Sequence, residues 1–234
     1  MTNDLIKVDR VRAADEAVAL EKLGADLLGV DLTPDPRFDD GREIPVEQAV
    51  GIYAVLERAT LVPMMDLADD PDRILRIANS LHARFVQPVG RAVPPAIVRA
   101  ALSEAGIGIV YGGVEIAHDD DPGWVFSDYT AEQDLGASFF QADVLPEYRD
   151  SWAFLRDRAP EYEDEFQIAD LDQLASEYPL VVGFDFTPGN VREILGALPR
   201  VRGLVLTLGD HARRGGVRFH SYLDTIDTLQ VLRG

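Results

Sequence analysis

Most of the short apolar runs in this 234-residue chain stop at a group that can hold or move a proton. Read in order, those run ends are Asp9, Asp31, Asp66, Glu115 or His118, Gln141 or Asp143, Asp185, and Asp210 or His211. Carboxylates and imidazoles that converge on one cavity suit general acid and base catalysis, once their surroundings bring their pKa values near the working pH. Lys7 stands two residues before Asp9, so on an extended segment the two share a face. That pairing reads either as a base with an ammonium beside it or as a structural ion pair. Arg37 reads either as a bidentate anchor for a carboxylate or as a loop arginine paired with Asp35 or Asp39. Backbone N–H groups at the helix start near Pro188-Gly189-Asn190 and at Gly209 could attract an anion, with Arg213 and Arg214 close by in sequence. His118 and His211 among several aspartates could hold a divalent cation, but no ligand spacing is diagnostic. Neither a metal nor an organic cofactor is expected.

The elements that must position these groups alternate. Apolar, β-branched runs at 5–9, 26–32, 60–67, 83–89, 107–115, 137–144, 180–186 and 203–208 read as strands. Helical periods fall at 13–23, 46–58, 71–81, 95–105, 168–177, 189–198 and 222–232. The stretches 116–130 and 146–165 are acidic and irregular, and Trp124 and Tyr129 in the first of them serve either as a lid or as packing. Strands apolar on both faces, each followed by a helical segment, predict an α/β fold: one closed (β/α)8 TIM barrel spanning residues 1–234. An open doubly wound sheet is the runner-up, disfavoured because no glycine-rich turn follows the first strand.

The composition narrows the function classes. A net charge of −19 repels nucleic acid and anionic membranes. Cysteine is absent, which removes disulfides, thiolate metal sites and cysteine nucleophiles. No apolar run approaches the roughly 18 residues of a membrane span, and the start of the chain has no signal-peptide character. The expected setting is cytoplasmic and the expected partner a small molecule, carboxylate- or phosphate-bearing, with no nucleic acid and no membrane.

Six segments in order resemble the phosphoribosylanthranilate isomerase family. Lys7-Val8-Asp9-Arg10 stands where that family has Lys-Ile-Cys-Gly. Leu23-Gly24-Ala25-Asp26 followed by Gly29 resembles its Ala-Gly-Ala-Asp…Gly. Pro36-Arg37-Phe38 resembles its Ser-Pro-Arg-Tyr loop, and Val86-Gln87-Pro88-Val89-Gly90 its Val-Gln-Leu-His-Gly. Phe186-Thr187-Pro188-Gly189-Asn190-Val191 is similar to Leu-Thr-Pro-Glu-Asn-Val, and the stretch from Gly203 to Gly209 to Gly-Val-Asp-Val-Ser-Ser-Gly. The resemblance implies an isomerase of aldose-to-ketose type, related to tryptophan biosynthesis.

The same resemblance implies roles for residues. Asp9 stands where the family has its general base, a cysteine. Gln141 stands at the place of its general acid, with Asp143 two residues later. His211 lies two residues past the glycine that a glutamate follows in the family. Asp9 is therefore the expected base, and Asp143 or His211 the expected acid. Arg37 would bind the substrate carboxylate, and Gln87, Gln141, Asp185, Asn190, Gly209 and Arg213 would line the substrate. Because both catalytic side chains differ, a changed substrate or reaction is expected, on an aromatic carboxylate or sugar adduct. A non-catalytic barrel that binds a ligand or partner is the alternative.

Overall fold

The computed structural model describes residues 5–132, 134–213 and 215–233. Eight parallel strands follow one another around a closed barrel. They are β1 (Leu5–Asp9), β2 (Leu27–Asp31), β3 (Thr60–Met65), β4 (Phe85–Pro88), β5 (Gly108–Ile116), β6 (Ala137–Val144), β7 (Leu180–Gly183) and β8 (Gly203–Thr207). The barrel closes where β1 pairs with β8, with Leu5 opposite Gly203 and Asp9 opposite Thr207. The helices are α1 (Ala14–Lys22), α2 (Val46–Tyr53), α3 (Pro71–Ser80), α4 (Ala96–Glu104), α5 (Ser127–Thr130), α6 (Ser151–Asp157), α7 (Ile168–Glu177), α8 (Val191–Ala197) and α9 (Tyr222–Arg233). None of these is long and apolar enough to cross a membrane.

Strand alternation divides the core in two. Outward residues such as Val8, Leu28, Val86, Ala142 and Leu206 join the large cluster between sheet and helices. Inward residues Leu27, Val62, Val110, Phe139 and Val181 form a small separate plug, with Leu5 and Phe85 against it. Further along β1, β2, β4 and β6 the inward positions turn polar, with Lys7, Gln87 and Gln141, and then Asp9, Asp31 and Asp143. The barrel is thus apolar at its base and ionic towards the C-terminal ends of the strands, where this fold builds its sites.

Three inward glycines leave room for those polar groups. A Cβ on Gly29 of β2 would fall on the Asp9 carboxylate, and one on Gly183 of β7 on the Asp143 carboxylate. A Cβ on Gly112 of β5 would come within 2.6 Å of Gln87 Nε2. Each polar side chain therefore lies flat across the glycine of the next strand. Gly183→Ala is expected to cost about 1–3 kcal/mol through overpacking and to displace Asp143, measured by urea denaturation and by the shift of its carboxyl resonance.

The irregular stretches resolve into structure that the sequence pattern does not announce. Residues 146–165 contain α6 and a 3-10 turn at Ala159–Glu161. The N-terminus of α6 is capped from far along the chain: the Asp185 carboxylate accepts from Ser151 Oγ at 2.6 Å and from Trp152 N–H at 2.9 Å. β7 stops at Gly183 rather than at Phe186, because the chain beyond it is drawn aside to supply that cap and the turn before α8. α2 ends at Tyr53 rather than near Arg58, since Glu21 accepts hydrogen bonds from the N–H groups of Glu57, Arg58 and Ala59. In the stretch after β5, Tyr129 is buried against Tyr111 and Phe140, while Trp124 is 75% exposed.

Candidate functional site

At the centre of the barrel, Lys7 is fully buried and its ammonium bridges Asp9 Oδ1 and Gln141 Oε1, the latter at 2.8 Å. Gln141 closes the ring by donating from Nε2 to Asp9 Oδ2 at 2.9 Å. Asp9 is thus the partner of a buried cation, and both its oxygens are engaged. Burial pulls the Lys7 ammonium down, and the Asp9 carboxylate opposes that pull.

A second layer sits above this ring. Asp143, at the end of β6, lies 3.6 Å from an Arg37 guanidinium nitrogen. Arg37 is also held by Asp35, with Nη2 donating at 2.8 Å. Asp143 is buried, and that burial pushes its carboxyl up from the ordinary range. Arg37 and Arg218 pull it back down, and Glu115 and Asp9 push it further up. A buried carboxyl held up in this way keeps its proton to a higher pH than a solvated aspartate does, as a general acid requires.

Asp31, at the end of β2, is pushed up to about 6, first by burial, against the pull of Arg10 and with Asp35 and Asp9 adding to the rise. Its Oδ2 accepts from Arg10 Nε at 2.8 Å, while its Oδ1 is buried without a hydrogen-bond partner.

Arg10 is the site residue that sequence reading passes over. It follows β1 directly, has a left-handed φ of 67° and is 1% exposed. Its guanidinium binds Asp31 and Asp40 and donates to the Leu208 carbonyl, and it lies 3.7 Å above the Phe38 ring. The strain of a left-handed backbone at a branched-Cβ-free but bulky residue is held by these contacts. The available signal was its place: Arg10 occupies the position for which the resemblance supplies a glycine.

Two loops are zipped together over this layer. Phe38 bridges Ala212 in antiparallel fashion, Arg213 N–H donates to the Arg37 carbonyl at 2.9 Å, and Arg213 Nε donates to the Phe38 carbonyl at 2.8 Å. Arg213 therefore braces the loop that carries Arg37. Arg214 lies outside the described residues. His211 pairs with Asp39 at 2.5 Å on the rim and is 71% exposed, whereas Asp9 and Asp143 are buried. The structure brings Asp9, Gln141, Asp143 and Arg37 together and leaves His211 apart from them. Gln87 is buried in the wall with its Oε1 unpartnered. Asp66 and Asp210 face solvent.

Asp185 lines a cleft of about 540 Å³ beyond β7 and β8, together with Thr187, Phe219 and His220, and Asn190 and Gly209 are hydrogen-bonded to that lining. Gly209 allows the close approach of Phe219, whose Cβ would lie 2.9 Å from an added methyl. Its N–H donates to the His220 carbonyl at 3.0 Å. Asn190 accepts from Thr187 N–H at 2.7 Å and donates to the Asp185 carbonyl at 2.9 Å. Of the residues the sequence singled out for an anion, Pro188 lines the cleft, Asn190 and Gly209 bond to its lining, and Arg213 lies instead at the Arg37 loop; the amides of Thr187 and Gly209 are spent within the protein.

His220, in the same cleft, is pulled down to about 4 by burial, with the nearby Arg218 cation adding to the pull. Between about pH 6.5 and 4 the unfolded chain takes up a proton at this residue and the folded chain does not, so stability falls as the pH falls. The loss is on the order of 3 kcal/mol. His220→Gln is expected to remove that part of the pH dependence of urea denaturation.

Among the described residues no group of three or more His, Asp or Glu side chains is arranged to hold a metal ion.

No protein-family model matches the sequence, and no curated protein matches it. Solved structures do match it in fold. Phosphoribosyl anthranilate isomerase from Thermus thermophilus superposes with a TM-score of 0.63 at 19% identity, covering 97% of this chain and 98% of that one. The enzyme from Thermotoga maritima gives 0.64 at 17% identity, covering 99% and 96%. A phosphoribosyl anthranilate isomerase in complex with reduced 1-(o-carboxyphenylamino)-1-deoxyribulose 5-phosphate gives 0.64 at 16% identity, covering 100% and 98%. What this chain shares with them is the fold over its full length: it is a single (β/α)8 barrel of phosphoribosylanthranilate isomerase-like architecture.

Proposed function

We propose that this barrel is an acid/base enzyme of phosphoribosylanthranilate isomerase-like design with a changed substrate or reaction, acting on an aromatic carboxylate or sugar adduct. The observation that carries the reading is the convergence of Asp143 and Arg37 at 3.6 Å above the Lys7–Asp9–Gln141 ring. In this reading Arg37 receives the substrate carboxylate, since a guanidinium offers two parallel N–H donors to it. Asp143 then loses its cationic partner, and its proton becomes harder to remove until the substrate oxygen takes it. Asp9 gives up one of its two hydrogen bonds as substrate enters and accepts the proton from carbon, with the other partner fixing its orientation. The reaction class this serves is aldose-to-ketose rearrangement or a relative of it, with proton abstraction beside a carbonyl equivalent and protonation of the departing ring oxygen.

The experiment is a deuterium-exchange screen. N-aryl glycosylamines bearing an aromatic carboxylate are incubated with the protein in D2O and examined by mass spectrometry. Wild-type protein is expected to place deuterium at C1 of the ketose product, since C2 gives up its hydrogen and becomes the carbonyl carbon. Arg37→Ala is expected to weaken binding of the carboxylate by about 2–5 kcal/mol, because it strips one partner from a largely desolvated pair. A panel with no incorporation by the wild-type protein would remove this reading.

A further inference from the structure

Several backbone donors around the cleft beyond β7 and β8 are already engaged. Besides the spent amides of Thr187 and Gly209, the N-terminal amide of α6 at Trp152 is spent on Asp185. A dianion needs open donors, and the backbone here offers it none of these three. The side chains lean the same way. Asp185 places a carboxylate in the lining. His220 uses one ring nitrogen on the Phe186 backbone and leaves Nδ1 without a partner. A histidine kept neutral by burial presents that nitrogen as an acceptor. Thr228 Oγ1, on α9, is also buried without a partner, as is Arg218 Nε. Arg218 spends Nη2 on the carbonyls of Leu145 and Tyr148.

The cleft lining therefore holds an acceptor without a donor in His220 Nδ1, a donor without an acceptor in Arg218 Nε, and a hydroxyl on Thr228 that can do either. Its charges balance, with Arg149 and Arg218 against Asp185 and Asp224. Two guanidinium groups disfavour an ammonium ligand, and a carboxylate beside a bare acceptor disfavours phosphate. A group that both donates and accepts without charge meets every requirement, and a run of hydroxyls is such a group. The aromatic rings of Tyr148, Phe186 and Phe219 supply apolar walls for the C–H faces between hydroxyls.

We propose that this cleft binds an uncharged polyhydroxylated group, a sugar arm without phosphate. Taken with the proposed acid/base reading, on which the identity of the whole substrate rests, the substrate is a non-phosphorylated glycosyl adduct of an aromatic acid. Its carboxylate lies at Arg37 and its hydroxyls lie between Asp185 and His220.

The test is an amide-detected NMR titration of the intact protein with D-ribose, inorganic phosphate and anthranilate in separate arms. Ribose is expected to give saturable shifts at Thr187, Phe219 and His220, and phosphate none there that saturates. Thr228→Val, close in shape to the native residue, and His220→Gln are each expected to weaken ribose binding by about tenfold. Saturable binding of phosphate at these residues overturns the proposal, and so does the absence of any saturable ribose shift. The anthranilate arm reads Arg37 and Asp143 instead. Its failure counts against the acid/base reading, whatever the cleft binds.

Discussion

Replacing Lys7 with methionine is expected to cost about 3–5 kcal/mol of folding stability, the size of change seen when a buried ion pair loses one member. Lys7 is wholly shielded from solvent and is the cation that touches Asp9. Methionine fills nearly the same volume, so the loss is not one of packing. It comes from leaving a carboxylate in the barrel interior with the Gln141 amide as its remaining hydrogen-bond donor. Removing both charges reverses most of the damage, because an apolar pair of similar volume owes no desolvation. Lys7→Met with Asp9→Leu is therefore expected to lie well above the single variant in urea denaturation. A single variant within about 1 kcal/mol of wild type would mean that the ring does not hold its charges as the structure indicates.

Asp143→Asn is expected to lower kcat by a factor of about 10²–10⁴, the range for loss of a positioned proton donor, in whichever reaction the exchange screen reveals. Its effect on stability has the opposite character. A carboxyl whose folded pKa is raised binds a proton in the folded chain at pH values where the unfolded chain has released it. Its contribution is complete below the unfolded value and is lost as the pH rises through the folded value. The asparagine variant keeps the shape and drops the charge. It is expected to match or exceed the wild type in urea denaturation at neutral pH, and to lose the part of the pH slope that Asp143 supplies. Equal loss of stability and activity would make Asp143 a structural residue.

The fold was legible because the strands repeat one pattern. Residues 5–9 and 137–144 end where periodicity ends them, and the glycines and prolines between elements mark the turns. Sequence fails where an element is completed by a distant group. α6 is invisible as a helix because its cap, Asp185, comes from the loop after β7. The site was legible in part for the same reason. Lys7 and Asp9 share a strand face, and alternation alone pairs them. Gln141, two residues before Asp143 on β6, could be placed at the mouth but not joined to Lys7, since that contact spans the barrel.

Arg10 and Arg218 were not foreseen. Both act by folding a long side chain back into the mouth from a loop, and no spacing rule reports the direction a loop arginine takes. Arg37 shows the limit most plainly. Its two readings, anchor and loop ion pair, are both present in the structure: Asp35 holds one side of the guanidinium and Asp143 meets the other.

That double engagement supplies the most direct measurement of the central claim. If a substrate carboxylate displaces Asp143 from Arg37, the carboxyl loses a cation that holds its pKa down and takes up protons as the ligand binds. Calorimetric titration with anthranilate, repeated in two buffers of different ionisation enthalpy, counts those protons. Net proton uptake is expected on binding, vanishing in Asp143→Asn, with binding itself lost in Arg37→Ala. Binding that proceeds with no proton uptake, or that survives the loss of Arg37, contradicts it.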